Sequence, residues 1–174
     1  MPEQLNHLTP LPFWLRHLKE EDKPHYTDCE KRIIAFSIAF EGTITIDKHK
    51  QTINTKEYTH YPPNIAISNT DFELLDNFHK IFKFGTSHIQ PPRKKTENTA
   101  KVYSVHSVYE VTFLLQQLKG FMPCEKYRNL RSLVAEFCQS RIYKHENNLD
   151  LSYDKRELEI IQEVRKLNER GRKP

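Results

Sequence analysis

Ile33-Ile34-Ala35-Phe36-Ser37-Ile38-Ala39-Phe40-Glu41-Gly42 runs directly into Thr43-Ile44-Thr45-Ile46. Eight uncharged residues end on one acid, a glycine follows, and the pattern then switches to strict alternation. This predicts a helix over 28–41, a turn at Gly42 and a strand leaving it. Thr27 or Asp28 is the natural N-cap, and Asp28 and Glu30 suit the positive end of the helix dipole. Glu41 falls at the opposite end, where a carboxylate and the last helical carbonyls converge. Both are oxygen ligands, a donor set that suits a hard divalent cation such as Mg2+ or Ca2+. An acid before a helix-ending glycine is also a common local arrangement with no chemistry attached.

Outward from this stretch, residues 43–50 read as a strand with Ile44 and Ile46 on one face and Thr43, Thr45, Asp47 and His49 on the other. Residues 51–61 read as a loop. A second strand over 64–70 points Ile65 and Ile67 inward and Asn64, Ala66 and Ser68 outward, and Pro62-Pro63 limits its start. Asn69-Thr70-Asp71 caps a helix over about 71–84 with Leu74, Leu75, Phe78, Ile81 and Phe82 as its stripe, closed by Gly85. Two strands, 86–90 and 100–107, flank the basic loop Pro92-Arg93-Lys94-Lys95, with Ile89 as the inward residue of the first. On the second, Tyr103 and Val105 alternate with Val102, Ser104 and His106, leaving open which set is wet. Helices follow over about 108–119, 124–143 and 153–170, the last with Leu158, Ile161, Val164 and Leu167 as its stripe.

The expected architecture is α+β, an αββαββα core with a four-stranded antiparallel sheet, helices on one face and extra C-terminal helices from about 124. Residues 1–25, rich in proline around Trp14, form an N-terminal extension, and 26–174 form one domain. A chain of 174 residues is long enough for a real core. Net charge is +4 and mean hydropathy −0.75, which permits a nucleic-acid partner without demanding one. No apolar run approaches the roughly 18 residues of a membrane span, and Met1-Pro2-Glu3-Gln4 has no signal-peptide pattern. Cys29, Cys124 and Cys138 are odd in number and widely spaced, which argues for free thiols in a reducing compartment. No GxGxxG or GxxxxGK[ST] occurs, and with only four glycines no phosphate-cradling loop is expected.

The central stretch resembles the signature of the LAGLIDADG homing endonucleases, with Ile34 to Gly42 on its nine positions. Glu41 falls on the catalytic acid and Gly42 on the closing glycine. Phe36 and Phe40 stand where the family usually has small residues, and Ala39 stands on the first Asp. The small residues here are Ala35, Ser37 and Ala39, so the helix-packing face is expected to be rotated or looser. The element order over 28–143 also agrees with a single-motif subunit, and no second motif or internal repeat is present. Asn69-Thr70-Asp71 and the long C-terminal helices are similar to archaeal ribosomal-RNA-intron members.

The resemblance implies a homodimeric, intron-encoded, Mg2+-dependent endonuclease cutting double-stranded DNA at a long, nearly palindromic site. Ca2+ or Mn2+ could substitute. It implies an intracellular location: cytoplasm, prokaryotic nucleoid or organelle. Glu41 and the main-chain carbonyl of Phe40 would hold the metal. Lys126, in Glu125-Lys126-Tyr127-Arg128, falls near the family's active-site lysine; it also reads as an exposed lysine at a helix start. Ser68 and Asn69 lie where the family organises water, and also read as helix-cap residues. His106 reads as a site contact or a surface histidine.

Outward strand residues are the base-reading candidates: Thr45, Asp47, His49, Asn64, Ser68, His88, Gln90, Ser104 and His106. Lys48, Lys50, Arg93, Lys94 and Lys95 would hold phosphates. Other readings on these residues are an intron RNA maturase in which Glu41 is dispensable, a catalytically inactive DNA-binding regulator, and an interaction domain without a nucleic-acid partner.

Overall fold

The structure is a computed structural model that describes residues 24–53, 55–82, 84–92 and 98–169. The basic loop Arg93-Lys94-Lys95, most of the N-terminal extension with Trp14, and the last five residues lie outside the described residues.

α1 runs Asp28–Glu41 and opens on a capping box: the Thr27 hydroxyl accepts from the Glu30 N–H, while the Glu30 carboxylate accepts from the Thr27 N–H. The chain then passes straight into β1 (Gly42–Ile46) without a turn. Gly42 is extended, with φ −130° and ψ −169°. The glycine is required by proximity rather than by a left-handed backbone, since a Cβ there would lie 2.5 Å from the Ala66 carbonyl oxygen.

β1 pairs antiparallel with β4 (Pro63–Asn69), which pairs with β6 (Ala100–Val105), which in turn pairs with β5 (Thr86–Gln90). These strands are the expected four-stranded sheet. One face carries Ile44, Ile46, Ile65, Ile67, Tyr103 and Val105, all buried. Burying each isoleucine contributes about 2 kcal/mol, which fixes the register, because a one-residue slip would turn the whole set to water. The helices cover this face: α1, α2 (Phe72–Phe82) and α3 (Val108–Gln117) against the strands, then α4 (Glu125–Glu146) and α5 (Lys155–Glu169) alongside β1. Gly85 ends α2 at φ 84°, and the Tyr103 hydroxyl donates to the Phe84 carbonyl beside it.

Two expectations are corrected. The strand over 43–50 is broken after Ile46, and residues 51–61 are not a loop. β2 (His49–Ile53) and β3 (Lys56–His60) form a two-stranded hairpin, turning at Thr55 with φ 68°. The register of β1–β4, ending at Ile46 opposite Pro63, continues unchanged into β2–β3, beginning at His49 opposite His60. The hairpin is thus an arm growing out of the main sheet. The ladder is interrupted because Pro62 and Pro63 have no N–H to give; across the gap Asp47 donates to the Pro62 carbonyl at 2.9 Å. Every side chain described in the arm is exposed.

The second correction is Ile89. Its pairing with Lys101 puts it on the helix-facing side, but β5 is an edge strand that no helix covers there, and Ile89 is 61% exposed. Leu74 and Leu158, expected in their helix stripes, are also exposed.

The two last helices are tied by a buried acid that the sequence reading missed. Glu157 is 1% exposed and accepts from Ser140 Oγ, Lys144 Nζ and the Asp154 N–H at 2.8, 2.8 and 3.0 Å. Asp154 returns the bond to the Glu157 N–H at 2.9 Å, a capping arrangement at the start of α5. All three cysteines are free, with Cys138 buried. Among the described residues no helix is long and apolar enough to cross a membrane.

Candidate functional site

Glu41 is exposed at the last position of α1, and it has no hydrogen-bond or ion-pair partner among the described residues. No basic residue stands in the last turn of the helix, so the negative end of the dipole and the carboxylate are unneutralised together. The Gly42 N–H makes the last helical bond, to the Ile38 carbonyl. The Phe40 carbonyl would need the N–H of Ile44, which already lies in β1, so no helical donor reaches it. The Glu41 carboxylate and the Phe40 carbonyl, on adjacent residues, therefore both lack a partner among the described residues.

This donor set fits a hard cation that keeps several waters and takes its other oxygens from a phosphate, as Mg2+ does. It does not fit a metal held by this chain alone. Among the described residues, no three His, Cys, Asp or Glu side chains converge.

The outward face of α1 is apolar. Ile33, Phe36 and Phe40 are exposed, Phe40 to 75%, and the Phe36 and Phe40 rings stack 5.8 Å apart. Ala35 is fully buried in the chain's own core with Ile34 and Ile38, so it is not part of that face. Ile33 and two aromatic rings, Phe36 and Phe40, are therefore the large side chains that α1 exposes on the way to Glu41.

Ser68 follows Ile67, the partner of Gly42, so Ser68 and Glu41 leave the ladder at the same end of the sheet. The Ser68 hydroxyl has no partner among the described residues. Asn69 is committed locally, since its Oδ1 accepts from the Asp71 N–H at 2.9 Å, and Asp71 in turn caps Leu74. Lys126 opens α4 with its Nζ 5.6 Å from the centre of the Tyr127 ring. The Tyr127 hydroxyl donates to the Gly42 carbonyl at 3.3 Å, pinning the first turn of α4 to the junction that carries Glu41. Burial, then the nearby Cys124, raises the Tyr127 phenol above its ordinary value, which keeps it a donor. Sequence reasoning reached the Lys126 segment but missed Tyr127; its only signal was adjacency.

The face of the sheet away from the helices is polar at most positions. Register places Thr45 opposite Asn64, Ser68 opposite Val102, Val102 opposite His88, and Ala100 opposite Gln90, all on this face. Asp47 accepts from Asn64 Nδ2 at 3.0 Å; this fixes the amide and leaves Asn64 Oδ1 buried without a partner. Ser104 is a correction. It shares the face, but between Ala66 and Thr86 on the flanking strands it is only 2% exposed, so it cannot contact a base as placed.

His49 and Lys50 sit on the arm rather than on the main sheet. The His49 ring lies 5.3 Å from its cross-strand partner His60, and Lys50 pairs with Glu57 at 3.4 Å. Lys48 is exposed at the arm's root, and His106 is exposed just beyond β6. The arm adds Gln51, Tyr58 and His60, in register with the polar face, which the sequence reading passed over as loop.

No protein-family model matches the chain, and no curated protein does. Solved structures match. The group I intron-encoded homing endonuclease I-CeuI, complexed with DNA, aligns with a TM-score of 0.61 at 14% identity over 83% of this chain and 70% of that one. The homing endonuclease I-CvuI, in complex with its target in the presence of Ca, aligns with a TM-score of 0.56 at 14% identity over 80% and 82%. The LAGLIDADG homing endonuclease I-SmaMI, bound to cleaved DNA, gives 0.54 at 18% identity over 77% of this chain and 42% of that one. The helix ending in Glu41, the antiparallel sheet with its polar face and the helices behind it are the fold of the LAGLIDADG homing endonucleases.

Proposed function

We propose that the chain is a site-specific double-strand DNA endonuclease that acts as a homodimer and depends on a divalent cation. The observation that carries this is Glu41: an unpartnered, exposed acid at the negative end of α1, at the end of an exposed apolar helix face. Large exposed apolar patches on a polar chain mark association surfaces. Pairing two α1 helices about a two-fold axis would cover Ile33, Phe36 and Phe40 and bring two Glu41 carboxylates together. The shared fold supports this reading. So does the 42% share of I-SmaMI, because this chain corresponds to less than half of that one.

Each residue then has a task. Glu41 and the Phe40 carbonyl would hold Mg2+, with Ca2+ or Mn2+ as substitutes. When bound, the ion supplies charge relief at the scissile phosphate and a water of lowered pKa. Ser68, whose hydroxyl has no partner among the described residues and leaves the ladder at the same end of the sheet, would orient a water beside the scissile phosphate. Lys126, carried there by Tyr127, offsets charge building on the phosphate oxygens. Thr45, Asp47, His88 and Gln90 read base edges in the major groove, where all four base pairs differ, and Asn64 holds the Asp47 carboxylate in place for this. Lys48, Lys50, Arg93, Lys94 and Lys95 hold phosphates.

The test is incubation of the purified protein with a plasmid library of candidate intron-insertion sequences, with Mg2+ and with EDTA. Discrete double-strand cuts that need Mg2+ are expected. Duplex binding without cutting would point to a regulator. Binding to intron RNA alone would replace the reading with a maturase.

A further inference from the structure

The β2–β3 arm has no core of its own. Its described side chains are all exposed, and a lone two-stranded hairpin is marginal in water. Its direction must therefore be set at its root, where the ladder is weakest because Pro62 and Pro63 donate nothing. Tyr61 occupies that root. Its N–H goes to no strand; it donates to the hydroxyl oxygen of Tyr153, just before α5, at 2.9 Å. The two rings meet edge to face at 5.0 Å, and Arg165 of α5 lies 5.7 Å over the Tyr61 ring.

Tyr153 is itself braced. It stacks on buried Phe137 at 6.3 Å and lies under the Arg141 guanidinium at 4.5 Å. The next residue, Asp154, is bound into the Glu157 cluster. The far end of α5 is anchored separately, by Asn168 Nδ2 donating to the Ile44 carbonyl at 3.0 Å. A rigid helix is thus fixed at both ends to the body and grips the arm between them.

We propose that α5 sets the pose of the arm through Tyr61, making Tyr153 a positioning residue for recognition of the outer base pairs of the DNA target. The inference rests on the DNA reading above. In it, the body of the sheet reads the inner part of each half-site, and the arm, which carries His49, Gln51, Tyr58 and His60 in the same register, reads further out. Tyr153 touches no DNA. Its hydroxyl converts a flexible projection into a reader with a fixed reach, so its loss is felt as specificity rather than as chemistry.

The experiment uses full-length protein and Tyr153→Phe, which deletes the acceptor but keeps the ring on Phe137 and Tyr61. Arg165→Leu serves as an independent second variant. In the free protein, amide exchange at Tyr61 should accelerate, and the heteronuclear NOEs of the arm amides should fall. On a panel of single-base target variants, discrimination should drop about fivefold at outer positions, as expected for one hydrogen bond. Inner positions and the cutting rate at saturating parental target should not move. Unchanged Tyr61 exchange in Tyr153→Phe overturns the proposal, as does an equal loss at every position. If the arm loosens but the wild-type protein binds no duplex, the DNA reading fails while the coupling of α5 to the arm stands.

Discussion

At Gly42 one missing atom holds two elements together. A Cβ there would lie 2.5 Å from the Ala66 carbonyl and 3.0 Å from the Ile38 Cα, both backbone atoms that cannot swing aside. Gly42→Ala should cost about 2 kcal/mol or more through this overpacking, and lower the melting temperature by several degrees. An unchanged melting curve would show that the junction between α1 and β1 is looser than described. The residue's importance was legible in the sequence, but the reason was not. A glycine after a helix suggests a turn with positive φ, whereas here it is extended and serves close approach. Glu41 was legible because a single acid ends an uncharged run. Tyr127 was not, because its contact with the Gly42 carbonyl joins positions far apart in the chain.

Among the elements, α1, β1 and β4 were readable because each buries one face, which prints an apolar period on the sequence; β6 is buried on both faces and β5 on neither, so which of their faces meets the core was not. The arm buries nothing. His49-Lys50-Gln51-Thr52 and Lys56-Glu57-Tyr58-Thr59-His60 carry no alternation of apolar and polar residues. They are strands because β1 and β4 deliver them in register, a tertiary cause invisible locally. Ile89 failed in the opposite sense, since alternation assigns a face but cannot say whether anything covers it. Glu157 was hidden in a dense run of charges, although Asp154 three residues before it carried a capping signal. The face of α1 gives the test at this scale. Under the proposed pairing of two α1 helices, replacing Phe36 and Phe40 together with Asp should shift sedimentation from dimer to monomer in analytical ultracentrifugation while leaving the fold intact, because both rings are exposed in the single chain. A dimer that survives would place the interface elsewhere.

The whole molecule is a sheet whose helices hold both the end that carries Glu41 and the arm, and the α4–α5 latch should show in its acid stability. The Asp154 carboxyl is held below its ordinary value, first by the hydrogen bond from Lys144 and against the opposing effect of burial. The unfolded chain therefore takes up this proton at higher pH than the folded one. Asp154's contribution is complete above the ordinary aspartate range and is lost as pH falls through the folded value. Asp154→Asn should accordingly be less stable than wild type at neutral pH, with the two melting temperatures converging as pH falls below the ordinary aspartate range. A gap that stays constant with pH would remove the ion pair with Lys144 from the account. The measurement that bears most directly on the central claim is made with Glu41→Gln, which keeps size and shape and removes the charge. With a target duplex and Mg2+, binding should remain close to wild type while cleavage falls by more than about 100-fold, beyond what loss of a mere supporting group around a metal costs. Cleavage at the normal rate by Glu41→Gln would contradict the assignment of Glu41 as the acid that holds the metal.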